Sequence, residues 1–232
     1  MLLYGIDAAP PRIWAGFRNI VKGRPMTNIL FVTSSPRGGA SHSSKVAERV
    51  LADLVAHNPS ATVVRRDLAA DPLPHVDEAY LGALFTPAEA RTDAQKAAVA
   101  LSDQLIDELF AADIIVIASA MINFTITSTL KTWLDYIARA GRTFAYVDNA
   151  PVGLVTGKRV VLVESKGGIY SEGPMKPADF QLPYLRFILA FMGLSQVEEI
   201  TVEGVAFGAE QAANAVAAAE IKASETARAI AA

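Results

Sequence analysis

The sequence predicts a doubly wound α/β domain, a five-stranded parallel sheet with helices on both faces. Three observations predict it. Short β-branched apolar runs of strand length recur along the chain. Amphipathic stretches of helix length separate them, and capping or stop residues punctuate the joins. Buried parallel strands read as near-continuous apolar runs, and repeated strand–helix–strand units pack helices on both sides of one sheet.

The four strong runs are Asn28–Thr33, Asp113–Ala118, Arg159–Glu164 and Val197–Val202. A weaker one, Ala61–Leu68, alternates Val and Arg and reads as a half-exposed edge strand. Between them, Ser43–Ala56 follows a serine-rich start and stops near Asn58-Pro59. Thr92–Ala112 carries Val99, Leu101, Leu105, Ile106, Leu109 and Phe110 on one face. Thr125–Ala138 precedes Gly141, Phe180–Met192 ends at Gly193, and the Ala-rich stretch Ala209–Ala231 forms a terminal helix. Five parallel strands so connected fit the flavodoxin-like order 2-1-3-4-5. Asp71–Arg91, with Pro72, Pro74 and Pro87, reads as an insertion positioned to cap a site. No internal repeat or linker divides the chain.

Composition narrows the function classes. Of 232 residues, 52% are hydrophobic and 19% charged, so there is enough apolar surface for a packed core. The net charge is −3 and the basic residues are scattered, which leaves no stripe for nucleic acid. Absence of cysteine removes disulfides, thiol catalysis and thiolate metal sites. His42, His57 and His75 lie in separate segments without metal-ligand spacing, so no metal is expected. No apolar run approaches a membrane span. Residues 1–25 contain Arg12, Arg18, Lys22 and Arg24, and Asp7 and Pro10-Pro11 interrupt their apolar part, unlike a signal peptide. They are read as an extension outside the fold, against the alternative of a basic amphipathic anchor around Trp14, Phe17 and Ile20. The domain is expected over residues 26–232, in a cytoplasmic protein.

In such a sheet, ligands bind beyond the carboxyl ends of the strands. The loop after the first strand, Thr33–Ser44, leaves a buried strand and enters a helix. A helix N-terminus offers unpaired N–H groups and a positive dipole end to a phosphate. Ser35, Ser41 and Ser43 add hydroxyls beside His42, and Gly38-Gly39 lets the backbone curve. With neither a Walker A lysine nor GxGxxG, the loop suits one terminal monophosphate better than a triphosphate or a dinucleotide; a serine cap on a tight turn is the competing explanation. The second loop, Ser119–Thr127, places Met121, Ile122 and Phe124 where they wall a flat aromatic ligand, with Asn123 at its polar edge. Alternatively these are core side chains of a strand running on into its helix. The third, Ser165-Lys166-Gly167-Gly168, is either an ordinary glycine turn or a place where backbone N–H groups approach a ring. No GxSxG elbow or carboxylate pair occurs in these loops, so no catalytic side chain is nominated.

These pieces in their order resemble the FMN-dependent NADH:azoreductase (quinone oxidoreductase) family from about Thr27 onward. The resemblance is carried by Ser34-Ser35 with Ser41 and Ser43, Met121-Ile122-Asn123-Phe124, and Ser128-x-Leu130-Lys131-x-Trp133-Leu134-Asp135. It continues through Ala138–Phe144, Pro151–Leu154, Ser165–Gly168, Tyr184-Leu185-Arg186 and Val202-Glu203-Gly204. It implies non-covalent FMN held by Ser35, Ser41, His42, Ser43, Met121, Ile122, Asn123, Phe124, Ser165, Lys166, Gly167 and Gly168. It also implies NADH or NADPH as co-substrate, ping-pong transfer of two electrons to a quinone or azo acceptor, and a homodimer with the site at the interface. A flavodoxin-type electron carrier or FMN-binding module without small-molecule turnover is the rival reading, and a flavodoxin-fold scaffold that has lost FMN is a second. Two departures bear on specificity: Ile122 stands where the family usually has Tyr, and Ala145 where a basic residue often sits.

Overall fold

The computed structural model describes residues 28–232; the expectations for residues 1–25 lie outside them. Strand β1 (Asn28–Thr33) leads into helix α1 (His42–His57) and strand β2 (Thr62–Asp67). Helices α2 (Glu78–Phe85) and α3 (Asp93–Ala111) follow, then β3 (Ile114–Ala120) and α4 (Ser128–Ile137). A short pair, β4 (Phe144–Val147) and β5 (Ala150–Gly153), precedes β6 (Arg159–Ser165), α5 (Leu182–Met192), β7 (Val197–Val202) and α6 (Ala209–Ala231). The main sheet is parallel throughout, in the order β2-β1-β3-β6-β7. Counted along its own strands this is the expected 2-1-3-4-5.

Side chains alternate between two cores because successive strand residues face opposite ways. Leu30, Val32, Ile115, Ile117, Val160 and Leu162 meet α3, α4 and α5 through Leu105, Ile106, Trp133 and Leu189. Ile29, Phe31, Val116, Val161 and Val163 meet α1 and α6 through Val46, Val50 and Ala223. The edge strand β2 carries its expected charges: Arg65 lies 4.9 Å from the Phe31 ring centroid and pairs with Glu48, and Arg66 pairs with Glu108. Charged side chains on an edge discourage pairing with another chain.

Several boundaries differ from the sequence expectation. Strand β3 continues past Ala118 because Ser119 and Ala120 still pair with Glu164 and Ser165. Helix α4 begins at Ser128, not Thr125, because Ile122 and Thr125 close a tight turn (N···O 2.9 and 3.1 Å) and Thr127 caps the helix. Helix α5 begins at Leu182 rather than Phe180. The insertion expected to cap a site instead packs on α3 and α4. Its Tyr80 is buried, with the ring 4.7 Å from that of Tyr136 and Oη donating to the Tyr136 carbonyl at 3.4 Å.

The β4–β5 hairpin was not expected. Asp148 (φ 51°) and Asn149 (φ 62°) form its two-residue turn, in the left-handed region these residues tolerate. The hairpin docks on the end of α5 at a glycine pair. A Cβ at Gly153 would lie 2.1 Å from the Gly193 nitrogen, so no larger residue fits without moving the backbone. Among the described residues, no helix is long and apolar enough to cross a membrane, and no group of histidines and carboxylates could hold a metal.

Candidate functional site

The three predicted loops meet at the carboxyl ends of β1, β3 and β6. They enclose a cleft of about 280 Å³. Of the residues singled out in the sequence, Ser35, Ser41, His42, Met121, Ile122, Ser165 and Gly167 line it. Pro36, Arg37 and Ala120 join them, and the loop after β7 contributes Val205 and Ala206. Val202-Glu203-Gly204 carries part of the family resemblance, but Val205 and Ala206 beyond it were not nominated as site residues because two small apolar side chains carry no binding signal of their own. Their place at a strand end was the available clue.

One end of the cleft is formed by the start of α1. Ser41 caps α1, its Oγ accepting from the Ser44 N–H at 3.2 Å and lying 3.2 Å from Ser43 Oγ. Among the described residues, no acceptor takes the N–H groups of His42 and Ser43, as expected in a first helical turn. Gly38, at φ +51°, makes the bend that brings the loop back to the helix. Partial burial holds the His42 imidazole below its usual range, and the charges of Arg37 and Lys45 push it lower still. That positive field favours a phosphate. A second cleft of about 330 Å³ lies across the same loop over β1 and β2, lined by Lys45 as well as by Glu48 and Asp67.

The other end is flat and apolar. Met121 and Ile122 form one wall, with Ile122 43% exposed, so it is not a core residue. Met121 N–H donates to the Ser165 carbonyl at 2.8 Å, tying the second loop to the third. Gly167 faces the cleft; its carbonyl and that of Gly168 accept from Ala206 and Gly204, while no acceptor among the described residues takes either glycine N–H. Glu203 fixes the segment beyond by accepting from Tyr170 N–H at 2.8 Å and Ser171 N–H at 3.0 Å.

The remaining nominated residues sit elsewhere. Ser43 is buried beneath Ser41. Asn123 (φ 47°) and Phe124 (φ 73°) are exposed at the tip of the second loop, both left-handed. Phe124 is unusual there, since a bulky side chain disfavours that region, and strain of this kind gathers at functional sites. Its ring meets Tyr170 edge-on at 6.4 Å, and its carbonyl accepts from Phe180 N–H at 3.0 Å.

Lys166, nominated as a flavin contact, turns inward. Its ammonium is 1% exposed and donates to Asp179 Oδ2 at 2.6 Å, and its backbone N–H is taken by the Val202 carbonyl. Alternation explains the direction. Residues 160, 162, 164 and 166 face the α5 side of the sheet, whereas 161, 163 and 165 face α1 and α6. Glu164 is buried there too, with Oε2 3.5 Å from the Lys166 ammonium and neither oxygen hydrogen-bonded among the described residues. Burial pushes the Glu164 carboxyl up to about 7, against the pull of Lys166; the carboxylates of Asp179 and Glu199 raise it further.

A phosphate end, a flat apolar wall and converging backbone donors, set at strand ends of a doubly wound sheet, define a flavodoxin-like mononucleotide-binding protein. A family model described as the flavodoxin-like fold matches residues 27–227. The FMN-dependent NADH:quinone oxidoreductase of Mesorhizobium japonicum is 52% identical over 195 residues, covering 84% of this chain and 93% of that protein. The crystal structure of azoreductase from Bacillus anthracis superposes with a TM-score of 0.81 at 32% identity, covering 87% of this chain and 99% of the other. An FMN-dependent NADH-azoreductase of Bacillus anthracis, solved in complex with FMN, gives 0.78 at 25% identity over 87% and 100%. The chain belongs to the FMN-dependent NADH:quinone oxidoreductase family of flavodoxin-like proteins.

Proposed function

We propose that this chain is an FMN-dependent NAD(P)H reductase that passes two electrons to quinones and azo compounds. The carrying observation is the single cleft that joins an unpaired helix N-terminus to a flat apolar wall. The names of its relatives, and FMN in one structural neighbour, support the reading. The N–H groups of His42 and Ser43, with the Ser35 and Ser41 hydroxyls, would hold the phosphate. Met121, Ile122 and Gly167 would flank the ring. FMN, when bound there, would supply the two-electron redox chemistry that links reduced nicotinamide to the acceptor. The N–H of Gly167, unpaired among the described residues, with that of Gly168 next to it, would stabilise negative charge in the cleft. A ping-pong order, with nicotinamide leaving before the acceptor enters, is the order we infer for a single cleft of this size.

The finer parts of this reading are a homodimer, a cytoplasmic location and a catalytic unit spanning residues 26–232. Exposed aromatic side chains on the hairpin and α5, Tyr146 and Phe187, support pairing with a second copy. Sedimentation of the full-length protein tests the dimer, and deletion of residues 1–25 should leave FMN content unchanged. For the activity, purified protein should carry a flavin absorbance that bleaches anaerobically with NADH alone and returns on adding a quinone. A flavin that NADH leaves unbleached would instead mark an electron carrier.

A further inference from the structure

Beneath the cleft lies a buried polar network that the reaction as proposed does not use. Asp179 receives the Lys166 ammonium on Oδ2, while its Oδ1 accepts from Gln181 N–H at 3.0 Å and Leu182 N–H at 3.2 Å. The wholly buried Gln181 donates from Nε2 to the Ser119 carbonyl at 3.1 Å and to Ser119 Oγ at 2.9 Å. Between Asp179 and Gln181 stands Phe180, whose N–H holds the Phe124 carbonyl and whose own carbonyl lies 3.5 Å from Thr125 Oγ1. The network therefore joins the ends of β3 and β6 to the start of α5, and clamps the strained Asn123-Phe124 turn from behind.

Lys166 has two claimants. Asp179 holds it at 2.6 Å, and Glu164 stands 3.5 Å away without a hydrogen bond of its own. When Glu164 is neutral, the ammonium belongs to Asp179 alone. When Glu164 is charged, two buried carboxylates share one cation, and the excess charge has no solvent to spread into. The other charges facing Glu164 are Glu199 on β7, which raises its affinity for a proton, and Arg186 on α5, which is itself paired with Glu199.

Resting on the reductase reading above, we propose that Lys166 and Asp179 are positioning residues for the Ile122–Thr125 turn, which carries Ile122 of the acceptor wall and is held by Phe180 at the Phe124 carbonyl, and that Glu164 makes their grip depend on protonation. A neutral Glu164 keeps the Lys166–Asp179 pair exclusive and the wall fixed. A charged one draws Lys166 back, loosens Asp179 and with it the backbone bond from Phe180 to Phe124. Glu164 changes charge around neutrality, inside the working range of an enzyme.

The test is binding, not turnover. A 1,4-naphthoquinone is titrated into oxidised holoenzyme without NADH, at about pH 6 and about pH 8.5, and followed by perturbation of the flavin spectrum. Wild-type affinity should fall about fivefold from the lower to the higher pH, the worth of one net hydrogen bond. Glu164→Gln should hold the low-pH affinity at both, and Asp179→Asn should bind weakly at both with FMN affinity unchanged. A pH dependence that persists in Glu164→Gln, or wild-type quinone affinity in Asp179→Asn, overturns the proposal. Should Asp179→Asn not fold, Glu164→Gln decides alone, since it removes a buried charge and keeps the shape. Failure of wild-type holoenzyme to bleach with NADH would strike the reductase reading instead.

Discussion

The two ends of the cleft are held by opposite means. The helix-start end is shaped mainly by local contacts: Ser41 caps its own helix and Gly38 turns its own loop, with Ser34 tying the strand end to Ala118 and Thr129. The acceptor end is assembled from afar. Phe124 is held by Phe180, Ser119 by Gln181 and Lys166 by Asp179, across separations of up to 62 residues. It also retains two left-handed side chains and a buried excess carboxylate. A tightly held end suits an anchored cofactor, whereas an end that stores strain and charge suits partners that must enter and leave.

The largest expected effect tests the local end. Replacing Ser35 and Ser41 together by Ala should weaken FMN binding by roughly 10²–10⁴-fold, taking about 1.5–3 kcal/mol for each hydrogen bond to a charged group and treating the two as additive. The Ser41 cap is also lost, at about 1 kcal/mol of stability. Fluorescence titration of apo-protein with FMN, beside a melting curve, separates the two. A lower melting point with unchanged FMN affinity would reduce Ser41 to a cap.

The next effect tests the charge stored at the other end. Because the folded carboxyl of Glu164 titrates near 7, well above its unfolded value, the folded protein keeps a proton that the unfolded chain releases. Stability should therefore fall as pH rises between the unfolded and folded values, and the penalty is complete above about pH 7. Glu164→Gln removes it, raising stability at about pH 8 by on the order of 3 kcal/mol and by only a fraction of that at about pH 4.5. Urea unfolding at both pH values measures the gap. An equal gap at both would mean that Glu164 does not titrate in this window.

This division also explains what could be read from the sequence. Strands β1 and β7 and helix α6 fall at their expected bounds, because apolar period and caps are local signals. The serine-capped turn into α1 was legible for the same reason. The inward turn of Lys166 was not, since its partner lies 13 residues on in a stretch without periodicity. Strand parity offered the clue: residues 164 and 166 share a face. The β4–β5 hairpin was missed although Asp148-Asn149 is a turn pair, because four-residue strands carry too little pattern to rise above their loops. Helix α2 was hidden among prolines that flank it without entering it.

A smaller effect sharpens the picture of the wall. Ile122→Tyr should shift the ratio of kcat/KM between a bulky apolar quinone and a compact polar acceptor by roughly 10–200-fold, the range open to a pocket contact of about 1–3 kcal/mol. Because Ile122 is half-exposed, stability should move by no more than about 0.5 kcal/mol. Steady-state rates with both acceptors and a melting curve check this. An unchanged ratio would remove Ile122 from the acceptor site.

The smallest effect asks whether the strain at Phe124 is real. At ordinary positions alanine is more stable than glycine by about 0.5–1 kcal/mol, because glycine gives up more freedom on folding. At φ 73° the order should reverse, since a Cβ in the left-handed region costs about 1–2 kcal/mol and glycine has none. Phe124→Ala and Phe124→Gly both delete the ring and its contact with Tyr170, so comparing them isolates the backbone. Phe124→Gly should be the more stable by about 0.5–1 kcal/mol in urea unfolding, the difference between those two opposing costs. Alanine as the more stable would mean that the turn relaxes out of the left-handed region once the ring is gone. The wall would then owe its shape to the aromatic contact with Tyr170, and the clamp through Phe180 would be secondary.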